Sequence, residues 1–216
     1  MRAAVIFSGC GHKEGTEISE AVLCLMALEK RGVLWEGFAP DKTFMARSYL
    51  KGSKKELQQR GVIDEASRIA RGNVHPIEEL RVEEFDILCL PGGLGAAEIL
   101  SNFRTRGFEG EVLESLKTII LAFHKQKKPI VAICISPAVV AIALKNEKNL
   151  IITMGMDRNT QNKCSWVTIQ EAMANGCVVD PINRIVSTPA FMVEDANRYE
   201  VATGIDKAVE EATKFV

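Results

Sequence analysis

The chain has 216 residues, 47% of them apolar and 25% charged, with a formal net charge of −1. That is enough chain for one globular domain with a sizeable core, and the balanced charge excludes the basic field of a nucleic-acid or anionic-membrane binder. No apolar run reaches the ~20 residues of a bilayer span, and neither a secretory leader nor an Arg-rich transit leader stands at the start, so the expected compartment is the cytoplasm. The six cysteines, Cys10, Cys24, Cys89, Cys134, Cys164 and Cys177, include no C-x-x-C pair. His12, His75 and His124 are not spaced from them as a zinc site requires, so reduced thiols and no metal are expected.

In chain order, residues 3–8 form a short apolar strand that runs into Gly9-Cys10-Gly11-His12-Lys13-Glu14-Gly15. A helix is predicted over 17–31, where Ile18, Ala21, Val22, Leu25 and Leu28 recur at helical spacing, with Thr16 as N-cap and Gly32 as stop. Residues 33–39 are a second strand and complete a βαβ unit. Residues 41–61 are the least regular part and are expected to supply a dimer contact or a lid. A short helix over 63–71 and a short strand over 74–77 follow. Residues 86–90 are a buried strand with Pro91-Gly92-Gly93-Leu94-Gly95 at its carboxyl end, and 112–127 a longer helix.

Pro129-Ile130-Val131-Ala132-Ile133 is β-branched and apolar, too short for a typical helix, and reads as a buried strand ending at Cys134. A helix to about Lys145 follows at once, with Pro137 near its first position. Residues 150–153 read as a strand, 155–165 as polar and irregular, and 166–175 as a helix stopped by Gly176. Residues 177–180 and 185–188 flank Pro181-Ile182-Asn183-Arg184 as a hairpin. Residues 195–216 are helical with a break near Gly204. The alternation predicts a single α/β domain over 1–216, with a mainly parallel sheet and helices on both faces. Ligands bind such sheets at the carboxyl ends of the strands, where the loops at 9–15 and 91–95 and the corner at Cys134 lie.

The corner has the layout of a nucleophile elbow: strand, tight turn with small neighbours (Ala132 and Ser136), then a helix N-terminus that favours a thiolate. The alternative is a small buried cysteine in a tight connection. Gly9-Cys10-Gly11 departs from the dinucleotide spacing, and Glu14, Glu17 and Glu20 would repel a pyrophosphate, so no cofactor is expected. A carboxylic acid on the first helix, Glu17 or Glu20, suits a proton shuttle beside Cys134, although acids early in helices also simply offset the dipole. Glycine at 92 and 93 lets backbone N–H groups approach a substrate oxygen together with the N–H of Ile135, which would make an oxyanion hole.

Ser8-Gly9-Cys10-Gly11, Gly15-Thr16-Glu17-Ile18-Ser19-Glu20, Pro91-Gly92-Gly93-Leu94-Gly95-Ala96-Ala97, Leu100-Ser101-Asn102-Phe103, Cys134-Ile135-Ser136-Pro137-Ala138 and Ser187-Thr188-Pro189-Ala190-Phe191-Met192 resemble the ElbB subgroup. That subgroup lies in the PfpI-type branch of the class I glutamine amidotransferase-like superfamily. The resemblance implies a three-layer αβα, flavodoxin-like fold, Cys134 as nucleophile, Glu20 as its acid partner, and Gly93 and Ile135 as oxyanion donors. It also implies a homodimer and a cofactor-free glyoxalase that turns glyoxal or methylglyoxal into hydroxy acids. Cys10, Gly11 and Asn102 are the candidate substrate-pocket residues; Asn102 either orients a carbonyl or caps local backbone. Many relatives carry a histidine directly after the cysteine or about twenty residues on. Here those places hold Ile135 and Met154-Gly155-Met156, so a Cys–His pair is unsupported unless His12 substitutes. The alternative function is a redox or carbonyl-stress sensor with a reactive cysteine and little turnover.

Overall fold

The computed structural model describes residues 1–53, 55–147, 149–155 and 164–216. Its first half runs Arg2–Ile6 (β1), Ile18–Glu29 (α1), Leu34–Ala39 (β2), Thr43–Arg47 (β3), Glu56–Gly61 (β4), Val62–Ala70 (α2), Val74–Pro76 (β5) and Ile87–Leu90 (β6). The second half runs Leu94–Glu98 (α3), Phe103–Arg106 (α4), Glu114–Lys125 (α5), Ile130–Ile133 (β7), Ser136–Ala143 (α6), Leu150–Ile152 (β8), Val167–Ile169 (β9), Val178–Asp180 (β10), Ile185–Thr188 (β11) and Arg198–Thr213 (α7).

Seven strands form one sheet in the order β10-β11-β7-β6-β1-β2-β5. All neighbours are parallel except β10 and β11, which make the expected hairpin. The strands are continuous apolar runs because both faces of the sheet are covered. Along β1, Ala4 and Ile6 join one core and Ala3 and Val5 the other. The first core is closed by α3, α5 and α6, the second by α1, α2 and α7. This is the three-layer, flavodoxin-like α/β fold expected from the sequence. From β1 the chain order proceeds outward through β2 to β5, and on the other side through β6 and β7 to β11. The switch point therefore lies between β1 and β6, where the carboxyl-end loops diverge and leave a crevice.

Four local readings change. Residues 41–61 contain an antiparallel hairpin, β3 with β4, in which Thr43 pairs with Gly61. The helix expected over 166–175 is instead strand β9, which runs parallel to β8, because backbone pairing to Leu150–Ile152 captures the β-branched Val167, Thr168 and Ile169. Helix α7 does not break at Gly204. The helix is close-packed there, and a β-carbon would collide with the carbonyl oxygen of Ala174. Thr16 does not cap α1; Glu17 does, its carboxylate accepting from the Glu20 N–H at 2.6 Å. The Thr16 hydroxyl instead accepts from Ser8 N–H at 2.7 Å and ties the first loop to the end of β1. Met156, within one of the two places where relatives carry a histidine, lies outside the described residues, as do most of the polar residues over 155–165.

Candidate active site

Cys134 sits between β7 and α6 with φ +61°, a left-handed conformation rarely held by a residue with a side chain. The corner is fixed from three sides. The Cys134 N–H donates to Thr188 O at 2.8 Å, the Ser136 hydroxyl donates to Pro91 O at 2.8 Å, and Pro137 starts the helix. Backbone strain held by surrounding structure is the signature of a constrained functional corner. Gly93 (φ +96°) caps α3, and its N–H and that of Ile135 both donate toward the Cys134 sulfur, favouring the thiolate.

Glu20 lies on the first turn of α1 and is fully buried. Its Oε2 accepts from Gly92 N–H at 3.1 Å, while Oε1 has no partner at hydrogen-bonding geometry among the described residues. Burial, and then the charge of Glu17, push its pKa up to about 8. At neutral pH the carboxyl therefore holds its proton. Burial and the nearby Glu20 push the Cys134 thiol upward as well. Protonated Glu20 removes the second of those causes and offers an O–H to the sulfur. Gly92 is needed at this junction: a β-carbon there would stand 2.5 Å from both Cys134 Cβ and Glu20 Oε2.

These groups open on a cavity of about 380 Å³, whose lining includes Cys134, Glu20, Gly93 and Ile135 together. The structure adds residues the sequence reading missed or set aside. Glu17 lines the cavity and holds the Glu20 backbone. Leu94, Phe191 and Met192 supply apolar wall, and Arg198, the first residue of α7, stands at the same cavity. His12 also lines it, but no hydrogen bond joins His12 to Cys134 among the described residues, and its ring packs edge-on against Tyr49 at 5.2 Å. His124 is occupied elsewhere, Nε2 lying 3.1 Å from Asn183 Oδ1.

Cys10, Gly11 and Asn102 are not brought to this cavity. Cys10 and Gly11 line a separate space of about 550 Å³ beneath the β3–β4 hairpin, with Phe44, Tyr49 and Glu65. Burial and then the charge of Glu65 raise the Cys10 thiol, and among the described residues no backbone N–H pair of the kind that faces Cys134 offsets them. Asn102 is exposed and accepts the Glu111 N–H on Oδ1 at 2.7 Å, so it takes the local backbone role. All six cysteines are free. Among the described residues no cluster of three or more His, Cys, Asp or Glu is arranged to hold a metal ion, and no helix is long and apolar enough to cross a membrane.

The chain is 35% identical over 210 residues to the human mitochondrial glutamine amidotransferase-like class 1 domain-containing protein 3, covering 92% of this chain and 77% of that protein. It belongs to this family of glutamine amidotransferase-like class 1 domain proteins. The rat mitochondrial ES1 protein homolog is 36% identical, with 89% of this chain and 76% of that one covered. No protein-family model matches the chain. Among solved structures, an isoprenoid biosynthesis protein with an amidotransferase-like domain from Ehrlichia chaffeensis superposes with a TM-score of 0.91, at 36% identity, over 100% of this chain and 99% of that one. A DJ-1 superfamily protein from Salmonella typhimurium shares the fold at a TM-score of 0.58 and 16% identity, over 99% and 86% of the two chains. The expectation of a cytoplasmic protein is overturned by the two mammalian relatives, both mitochondrial. That expectation rested on seeing no leader, and the lack of a leader signal is not a signal for any compartment.

Proposed function

We propose that this family member is a cofactor-free, glyoxalase-type enzyme that acts on small dicarbonyls through Cys134. The observation that carries the reading is a fully buried carboxyl, Glu20, pushed up to about 8 and facing the same cavity as a strained cysteine with two N–H groups aimed at its sulfur. A carboxyl with that pKa changes protonation state within one catalytic cycle near neutral pH. Among the described residues no histidine is hydrogen-bonded to Cys134, which disfavours amide hydrolysis, a reaction that needs a strong base to activate the nucleophile and an acid for the leaving amine.

For methylglyoxal, the carboxylate form of Glu20, accessible near neutral pH to a group at about 8, takes the Cys134 thiol proton, and the thiolate adds to the aldehyde carbon, forming the C–S bond of a hemithioacetal as the carbonyl opens to an alkoxide. Protonated Glu20 gives its proton to the new alkoxide, which the Gly93 and Ile135 N–H groups stabilise as it forms. The Glu20 carboxylate then removes the hydrogen of that carbon and delivers a proton to the neighbouring carbonyl carbon, while the proton of the new hydroxyl passes to the neighbouring oxygen through the enediolate. The first carbon is thereby oxidised to a thioester and the second reduced to an alcohol. Water cleaves the thioester, releasing lactate, a proton and the free thiol, so the sum is methylglyoxal plus water giving lactate and a proton, with no external oxidant or reductant.

The test is lactate formation from methylglyoxal without glutathione. Cys134→Ala is expected to abolish it, and Glu20→Gln to lower kcat about a hundredfold, the usual share of a positioned acid–base group. Equal rates in wild type and Cys134→Ala would remove the mechanism.

A further inference from the structure

We infer that the Cys134 cavity takes a carbonyl compound with an anionic end, a 2-oxoaldehyde that carries a carboxylate on a short apolar chain, and that Arg198 selects it. The inference rests on the dicarbonyl reading for the reacting end and goes beyond it for the rest of the ligand.

Three observations carry it. The first is room: a cavity of about 380 Å³ falls within the usual range for ligand pockets, and a two- or three-carbon dicarbonyl leaves most of it unfilled. The second is the wall beyond the reacting groups, where Leu94, Ile135, Phe191 and Met192 offer apolar surface to a ligand body but no polar anchor. The third is charge. Arg198 lines this cavity, is exposed, and makes no hydrogen bond or ion pair among the described residues. The acids around it are otherwise engaged or apart. Glu17 is committed to the Glu20 N–H at 2.6 Å, Glu200 accepts from the Asn197 N–H at 3.0 Å, and neither Glu194 nor Asp195 pairs with the guanidinium. Arg198 also begins α7, so the positive end of that helix dipole lies on the same side as its side chain. An arginine left without a carboxylate partner at the wall of a nucleophile's cavity presents the planar fork that binds a carboxylate.

The discriminating experiment reads Cys134 itself and needs no turnover. Iodoacetate and iodoacetamide are close in shape and differ by one negative charge. The rates at which each alkylates Cys134 are followed by peptide mass spectrometry, and their ratio is divided by the same ratio for free cysteine. Any change in thiolate fraction cancels in that quotient. In wild type the quotient is expected to favour iodoacetate by about fivefold, the size of one solvent-screened charge contact. It should fall to about one in Arg198→Met and persist in Arg198→Lys and in His12→Gln. A quotient near one in wild type, or one lost in His12→Gln and kept in Arg198→Met, overturns the assignment. In turnover, Arg198→Met should raise KM about fivefold more for methylglyoxal extended by a carboxymethyl group than for methylglyoxal itself. If no lactate forms while the alkylation preference holds, the glyoxalase reading falls and the anion site stands.

Discussion

At the scale of single residues, Glu20 gives the site a pH signature that no other described carboxylate shares in kind. Its folded-state pKa of about 8 lies above the ordinary carboxyl value of about 4.5, so the folded protein holds this proton more tightly than the unfolded chain does. The resulting stabilisation is fully present below about pH 4 and is lost as pH rises through the folded value, a loss on the order of a few kcal/mol. A carboxamide at this position keeps an acceptor for the Gly92 N–H but does not titrate. Glu20→Gln should therefore gain on wild type as pH rises from about 5 to 9, its relative Tm climbing by about 5 °C or more. Thermal unfolding across that range checks this, and parallel curves for the two proteins would show that the carboxyl is not held neutral. The cause is burial reinforced by Glu17, so Glu17→Gln should reproduce only the smaller part of the shift.

At the scale of elements, α7 shows what local sequence leaves unsaid. Glycine inside a helix costs about 1 kcal/mol relative to alanine, and on that ground Gly204 reads as a break. In the fold it is where α7 comes closest to its surroundings: a β-carbon would meet the carbonyl oxygen of Ala174 and stand 2.8 Å from the Thr188 hydroxyl, which itself donates to Gly176 O at 2.8 Å. Gly204→Ala should thus lower stability by about 1–3 kcal/mol by overpacking, despite the better helix former. A Tm at or above wild type would mean that helix propensity outweighs packing here. The same distinction decides what could be read beforehand. The elbow at Cys134 was legible because strand, small neighbours and Pro137 are consecutive, and the parallel sheet was legible because strands buried on both faces are unbroken apolar runs. Local chemistry left Glu17 and Glu20 as alternatives, and the family resemblance chose between them. Phe191 and Met192 stand in a stretch that the resemblance marks but gives no role, and Arg198 reaches the site from beyond it, more than sixty positions from the elbow, with nothing in its own neighbourhood to mark it. Strand β9 was hidden because only its pairing with β8 decides against a helix.

For the whole molecule, the site depends on how α1 is held, because α1 carries Glu20 and packs along α7 over one face of the sheet. A charge cluster fastens these two helices across 175 positions of chain: Arg31 Nη1 to Asp206 Oδ1 at 2.6 Å, Lys30 Nζ to Asp206 Oδ2 at 2.9 Å, and Arg31 Nη2 to Glu210 Oε2 at 3.4 Å. The Arg31 guanidinium, with Lys30 beside it, holds the Asp206 carboxyl down at about 2. A depressed carboxyl stabilises the fold above its unfolded pKa and ceases to do so as pH falls through the folded value. Asp206 keeps 31% of its side-chain surface exposed, so solvent screening limits the contribution to about 1 kcal/mol. Asp206→Asn should accordingly lower Tm by about 2–4 °C at pH 7. That difference should shrink in high salt and close between about pH 4 and pH 2, where the wild-type carboxyl takes up its proton. Wild type thus loses stability on the acid side through Asp206 and on the alkaline side through Glu20, so its Tm approaches that of Asp206→Asn between about pH 4 and pH 2 and falls relative to Glu20→Gln between about pH 5 and pH 9, the two variants departing from wild type in opposite directions above neutral pH. A Tm deficit in Asp206→Asn that stays constant from pH 7 down to pH 2 would show that Asp206 contributes through packing rather than through its charge.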